Sequence, residues 1–261
     1  MTNEKLGGVV VPMVTPMRAD HAVCEESVRR LIGSFAGEAS AILPALSSGE
    51  GKNLSERQWR DIVVYSVRHR QGLKVYPGAM VKSDEELFKR ARIAADAGAD
   101  GITVVVPSWS QGAQEVVEYF ARLEKSLPLP IFIYHEQADG DAASIAEALT
   151  AICRLSRVVA IKESSHQPAI ASRLARANVP SAVFQGWEDL CFQTPGADGN
   201  AMALSNLEAG LCAEMFREPT EVKQQSIDAM CRQYGLFDDA WYAALKNILW
   251  KRGILSTNTT A

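Results

Sequence analysis

Val158-Val159-Ala160-Ile161-Lys162-Glu163 is an apolar run that ends on a lysine and opens into the polar turn Ser164-Ser165. A short unbroken apolar run bounded by turn residues is the pattern of a β-strand buried on both faces, as in parallel sheets. Lysine is unusual there, because a strand interior offers an ammonium little solvation. In a parallel barrel the C-terminal strand ends face the active-site mouth, and partial burial lowers the pKa of an amine. An amine near neutrality attacks a carbonyl and forms a Schiff base, a covalent use that arginine does not share. The competing reading is a lysine that merely ends a strand and points into water. Position alone leaves both open.

Working outward from this run, one theme repeats: a short β-rich segment, a turn, then a helical stretch. Gly8–Pro16 reads as the first strand, with Pro12 marking an edge or bend, and helical periodicity follows from about Cys24 to Phe35. Ser40–Leu46 is the second strand, followed by a helix capped by Ser55 with Glu56 and Arg57 in its first turn. Lys74–Ala79 is the third; the next helix starts after Ser83, which with Glu86 makes a capping box, and stops near Gly98. Asp100–Val106 is the fourth, ending at Pro107, and Leu129–Tyr134 the fifth, with a helix from Ser144. The sixth ends at Lys162, the seventh is Ala182–Gly186, and the eighth is Gly199–Leu204. Eight apolar strands alternating with amphipathic helices predict an α/β fold closed as a (β/α)8 TIM barrel. An open doubly wound sheet is disfavoured because no GxGxxG follows the first strand. The barrel is expected over 1–206, and 207–261 reads as extra C-terminal helices packed on the barrel or on a neighbouring subunit.

The chain has 261 residues, 47% hydrophobic and 22% charged, enough to bury one large core. A net charge of −4 without a Lys/Arg cluster argues against a nucleic-acid partner. Met1-Thr2-Asn3-Glu4-Lys5 lacks the apolar core of a signal peptide, no apolar stretch reaches membrane-spanning length, and a cytoplasmic location is expected. The five cysteines are scattered without a CxxC pair and read as reduced packing thiols. No His/Asp/Glu spacing supports a metal, and no cofactor is expected.

In such a barrel the strand ends converge on one cavity. They carry Ser47-Ser48-Gly49-Glu50, Trp109, Tyr134-His135-Glu136, Lys162-Glu163-Ser164-Ser165 and Gly186-Trp187-Glu188-Asp189. A nucleophilic amine, a phenol and a hydroxyl-rich loop suit 2-oxo acid chemistry. Ser hydroxyls and backbone N–H groups, made approachable by Gly49, grip a carboxylate, while the phenol shuttles protons as carbinolamine and imine form.

At this point the chain resembles the dihydrodipicolinate synthase/N-acetylneuraminate lyase family of Schiff-base barrels over roughly Gly7–Asn206. The matching pieces, in order, are Val14-Thr15-Pro16, Ser47-Ser48-Gly49-Glu50 for a GTTGE-type loop, Ala97-Gly98-Ala99-Asp100-Gly101, Ile133-Tyr134, Ala160-Ile161-Lys162-Glu163-Ser164 and Gly196-Ala197-Asp198-Gly199. The resemblance implies that Lys162 forms an imine with pyruvate or another 2-oxo acid. It further implies that Tyr134 is the general acid/base, that Ser47 and Ser48 hold the carboxylate, and that the protein is a homo-oligomer, dimer or tetramer.

Two departures narrow the expectation. Synthase members carry an arginine in a YNxPxR-type motif that binds the second substrate's carboxylate, whereas here Tyr134-His135-Glu136-Gln137-Ala138-Asp139-Gly140 has none. A semialdehyde carboxylate meets Glu136 and Asp139 instead, which argues against dihydrodipicolinate synthase itself. The family's Pro-Tyr-Tyr reads Pro107-Ser108-Trp109, and an indole cannot relay a proton as a phenol does. Water, Ser48, His135 or substrate groups then move the proton, and Trp109 either walls the site for a larger acceptor or packs at a subunit contact.

His135 alternates away from Tyr134, so a structural histidine is favoured over a catalytic one. Glu50 orients its own loop and caps backbone amides, with proton transfer as the lesser reading, and Glu163 is a structural partner. Gly186 and Glu188 border the substrate, Glu188 and Asp189 either binding hydroxyls or starting a helix, and His21 and His166 read as surface residues. The expected activity is a lyase or aldolase joining or cleaving a 2-oxo acid and an aldehyde. The alternatives are a dehydratase of a 2-keto-3-deoxy sugar acid acting through the same imine and a non-catalytic 2-oxo acid sensor.

Overall fold

A computed structural model of the chain describes residues 5–137 and 140–261; the opening Met1–Glu4 and the carboxylate of Asp139 weighed above lie outside the described residues. The strands are β1 (Gly8–Val11), β2 (Ala39–Ile42), β3 (Lys74–Val75), β4 (Gly78–Ala79), β5 (Ile102–Val105), β6 (Ile131–His135), β7 (Val158–Glu163), β8 (Ala182–Gln185) and β9 (Gly199–Asn200). Helices α1 (Glu25–Phe35), α2 (Glu56–Arg68), α3 (Asp84–Ala97), α4 (Ala113–Ser126), α5 (Ala142–Ile152) and α6 (Pro168–Arg176) alternate with them. Beyond Glu208 come α7 (Ala209–Arg217), α8 (Glu221–Tyr234) and α9 (Trp241–Lys251).

The strand pairs are parallel and run in the order β3-β2-β1-β9-β8-β7-β6-β5-β4. The two ends of this order are consecutive pieces of one strand, interrupted at Tyr76-Pro77 where proline has no N–H to give to the ladder. The interruption still carries hydrogen bonds to both sides. Tyr76 N–H donates to Ile42 O at 3.0 Å, while Thr103 N–H donates to Pro77 O at 2.8 Å. Thr103 Oγ1 adds a bond to Tyr76 O at 2.8 Å, so the sheet closes on itself as an eight-membered (β/α)8 barrel.

Several sequence boundaries shift for local reasons. The first strand stops at Val11 because Pro12 cannot continue the ladder, and the eighth shrinks to two residues before a 3₁₀ turn over Ala203–Asn206. The helix expected from Ser144 begins at Ala142, since Asp141 accepts the Ser144 N–H at 2.8 Å and is the cap. Ser55 forms a full capping box with Gln58. Ser83 makes only half of one, because Glu86 turns its carboxylate to the Lys82 N–H instead. Gly98 ends α3 in the left-handed conformation at φ 85°, as its sequence position predicts.

Alternation along the strands divides two apolar sets. Ile131 and Ile133 of β6, Ile161 of β7 and Val183 of β8 face the surrounding helices, whereas Phe132, Ala160, Ala182 and Phe184 face the barrel interior. Phe132 stacks on Phe184 with centroids 5.9 Å apart and meets Tyr76 at 5.3 Å, plugging the barrel with aromatic rings. In the interior set, Tyr134 follows Phe132 and Lys162 follows Ala160 by two residues, so both stand one layer above this plug. Phe132 is fully buried and carries no polar atom. Phe132→Ala is therefore expected to lower unfolding stability by about 3–5 kcal/mol, a loss that chemical denaturation will register.

Candidate active site

Lys162 is the inward-facing residue at the C-terminal end of β7, 5% exposed, in register with Tyr134 on β6. Its Nζ lies 4.9 Å from the centroid of the Tyr134 ring. Burial draws its pKa down from 10.5 to about 8, against the upward pull of the Glu188 and Glu136 carboxylates. A useful fraction of the amine is thus neutral near physiological pH. Tyr134 is buried too, and burial, reinforced by Glu136, pushes its phenol well above the ordinary range. It keeps its proton at neutrality and shares a hydrogen bond with Ser47 Oγ at 3.2 Å.

These groups open into a cavity of about 400 Å³ lined by Ser47, Ser48, Tyr134, Glu136, Lys162 and Ser164 on its inner side. Ser48 Oγ and Ser164 Oγ are buried without a hydrogen-bond partner among the described residues, two hydroxyls in the same cavity as the amine. Gly186 is required by packing. A Cβ there would sit 2.8 Å from Lys162 Cε and collide with Ser164 Oγ, so a side chain would push the lysine out of place. Glu188 borders the cavity with its carboxylate accepting the Leu204 N–H at 3.1 Å, and burial raises its pKa.

Two expected site residues stand elsewhere. Gly49 does not line the cavity; a Cβ on it would meet Ala45 N and Met13 O at 2.8 Å, and its carbonyl accepts from Thr15 Oγ1 at 2.6 Å. It lets the loop fold tightly enough to present Ser47 and Ser48. Trp109 does not line the cavity either. It begins a 3₁₀ turn after β5, and its ring is drawn back against the outer face of β6, where Nε1–H donates to His135 Nε2 at 3.0 Å. An indole N–H has no choice but to donate, so the imidazole must accept there and carry its proton on Nδ1.

His135 accordingly donates from Nδ1 to Glu163 Oε1 at 3.0 Å, and both side chains are fully buried. The same oxygen accepts the Ser165 N–H at 2.9 Å. Histidine and glutamate thus form a structural pair behind the barrel wall, one residue out of step with Tyr134 and Lys162. Glu50 also acts through structure: its carboxylate pairs with the buried Lys246 of α9 and accepts the Ala261 N–H at 2.5 Å. Asp189 binds His166 at 3.0 Å at the surface, and His21 lies exposed against Thr260 O at 3.0 Å. Sequence reasoning missed the outer rim, where Leu236, Phe237, Asp238, Asp239 and Trp241 from the turn joining α8 to α9 border the cavity. The aromatic stretch was visible in the sequence, but its position over the barrel mouth was not.

The Dihydrodipicolinate synthetase family profile matches residues 5–258. The chain belongs to this family. It is 30% identical over 239 residues to the 4-hydroxy-tetrahydrodipicolinate synthase of Chlorobium phaeobacteroides (strain BS1), covering 87% of this chain and 78% of that one. In fold it is similar to the dihydrodipicolinate synthase of Bacteroides thetaiotaomicron, with a TM-score of 0.87 at 23% identity over 98% and 92% of the two chains. The prophage protein YagE of E. coli K12, solved in complex with pyruvate, aligns with a TM-score of 0.82 at 20% identity over 97% and 91%. Family membership places the chain among Schiff-base aldolases and lyases. The histidine–glutamate pair has its own test. His135→Leu strands a buried Glu163 carboxylate and removes the Trp109 acceptor, so denaturation should show a loss of about 3–5 kcal/mol and tryptophan emission should shift.

Proposed function

We propose that the chain is a class I, metal-independent aldolase or lyase in which Lys162 forms an imine with a 2-oxo acid, pyruvate by preference. The observation that carries this reading is a buried amine of lowered pKa beside a protonated tyrosine and two serine hydroxyls without a partner among the described residues. Neutral Lys162 attacks C2 of the oxo acid. Tyr134, linked to Ser47, protonates the oxygen that leaves the carbinolamine as water. Ser47 and Ser48 hold the substrate carboxylate. The iminium withdraws electrons from C3, and the Tyr134 phenolate left by the first transfer takes a C3 proton, which gives an enamine and restores the phenol. Its carbon attacks an aldehyde, forming one C–C bond, and water then hydrolyses the imine to free the product and the lysine. Cleavage is the same sequence reversed. Among the described residues the chain's own groups have mainly to position reactants and move protons.

The acceptor is not aspartate semialdehyde. No arginine follows Tyr134 through Gly140 to meet a carboxylate, and Glu136 borders the cavity on that side. A second reading, dehydration of a 2-keto-3-deoxy sugar acid through the same imine, draws support from Glu188. Its buried carboxyl, raised in pKa and facing the cavity, is suited to protonate a departing hydroxyl. A homo-oligomer, dimer or tetramer, and a cytoplasmic setting complete the proposal.

Borohydride reduction in the presence of pyruvate should leave a pyruvate-derived mass on Lys162 and none on Lys162→Met. If no common 2-oxo acid gives an adduct, the imine reading is wrong. Because the attacking form is the neutral amine and burial lowers its pKa, the trapping rate should rise with pH through a midpoint at about 8 rather than 10.5. Pyruvate with aspartate semialdehyde should give negligible product; brisk turnover would refute the argument from the absent arginine. Appearance of an aldehyde from a candidate substrate separates lyase from dehydratase.

A further inference from the structure

The cavity above Lys162 has an outer half that imine formation leaves unused. Four acidic side chains line the cavity as a whole, those of Glu136, Asp238, Asp239 and Glu188, the last drawn by burial toward its protonated form, against the single amine of Lys162. Glu136 is partly offset by an exposed Lys52 at 3.5 Å. Asp238 and Asp239 have no cationic partner among the described residues, and they lie on the turn before α9. The same rim carries three aromatic side chains, Trp187, Phe237 and Trp241. Trp187 is held by its Nε1–H donating to Ser164 O at 2.7 Å, so that face is pinned rather than free to swing. Beneath the rim, Ser164, which the oxo acid carboxylate does not claim, borders the same cavity with a buried hydroxyl that has no hydrogen-bond partner among the described residues, a polar atom left for a second ligand.

We propose that this rim binds the second substrate through a positively charged group: an aldehyde that carries an ammonium, primary or quaternary, and no carboxylate. The inference rests on the imine reading and names the acceptor's class. Once Lys162 has become an enamine nitrogen it has lost its positive charge, while the first substrate has added a carboxylate. The space the acceptor enters then faces the first substrate's carboxylate, Asp238, Asp239 and Glu136, the last with the exposed Lys52 beside it. An anionic aldehyde is repelled, and a zwitterionic one gains at one end what it loses at the other. A polyhydroxy aldehyde can also lie against aromatic faces, but it carries no charge for the unpaired aspartates to attract. A cation is attracted by both features at once, the carboxylates by charge and the rings by their quadrupoles.

Choline and 3,3-dimethylbutan-1-ol have the same shape, differ by one charge and lack a carbonyl, so both report binding without turnover. On pyruvate-saturated protein, followed by tryptophan fluorescence and calorimetry, choline should bind at least about tenfold more tightly than its neutral isostere. The advantage should shrink to less than about threefold in Asp238→Asn/Asp239→Asn and should weaken as salt is added. Both aspartates are exposed, so the double variant is expected to fold, which circular dichroism checks. Equal affinity for the two probes, no binding of either, or an advantage that survives the double substitution overturns the proposal. Borohydride trapping of pyruvate on the unaltered chain is read in parallel. An adduct without cation preference sinks this subsite alone, whereas no adduct sinks the imine reading beneath it.

Discussion

Parallel pairing of β6 with β7 places Tyr134 beside Lys162 and His135 beside Glu163. Because strand side chains alternate, the first pair enters the barrel and the second stands behind its wall. A slip of one residue would exchange the two pairs, burying the imidazole and carboxylate in the barrel and turning the phenol and amine toward the helices. The outer pair resists that slip. Histidine and glutamate, both fully buried, are joined by a hydrogen bond, and the glutamate is tied to the turn that follows β7. The geometry of the amine and the phenol is thus held by residues that do not line the cavity.

Burial does opposite work on the two inner groups. It lowers the pKa of the amine, which is charged when protonated, and raises that of the phenol, which is charged when deprotonated. One low-dielectric setting therefore drives both toward their neutral forms, an unprotonated amine and a protonated phenol side by side. The carboxylates of Glu188 and Glu136 moderate the shift on the lysine without cancelling it. A second buried lysine, Lys246, has a different fate. Its partner Glu50 lies in the loop that presents Ser47 and Ser48, so the ion pair fastens the last helix to the site rather than preparing a nucleophile. Breaking such a pair is costly because the remaining charge stays buried.

The residues that line the inner cavity were legible because their signals are local. An apolar run ending in lysine, an apolar run ending in tyrosine and a serine-rich loop each announce themselves within a few residues. The interruption at Tyr76-Pro77 and the two-residue eighth strand were not legible, since an apolar segment reads the same whether one or both of its ladders persist. Trp109 shows the same limit in a side chain. Its place after β5 was read correctly, but whether an indole turns to the cavity or to the barrel's outer face depends on an acceptor, and His135 is 26 residues away in the chain. Gly49 was linked to carboxylate binding; the structure adds that its backbone packs closely against Ala45 and Met13, which no local signal records.

By itself the sequence determined the alternation of strands and helices, the closed parallel barrel, and the identity of the amine, the phenol and the serine hydroxyls. Those follow from periodicity and from where chemistry-bearing residues fall at strand ends. Only the tertiary structure decided what surrounds them. It turned Trp109 away, withdrew Asp189 to the surface, coupled Glu50 to Lys246, and brought Asp238, Asp239, Phe237 and Trp241 over the mouth. The physical reason is distance along the chain. Strand-end residues are placed by short-range hydrogen-bonded geometry. The rim is assembled from segments about a hundred residues from Tyr134, and nothing local records their meeting.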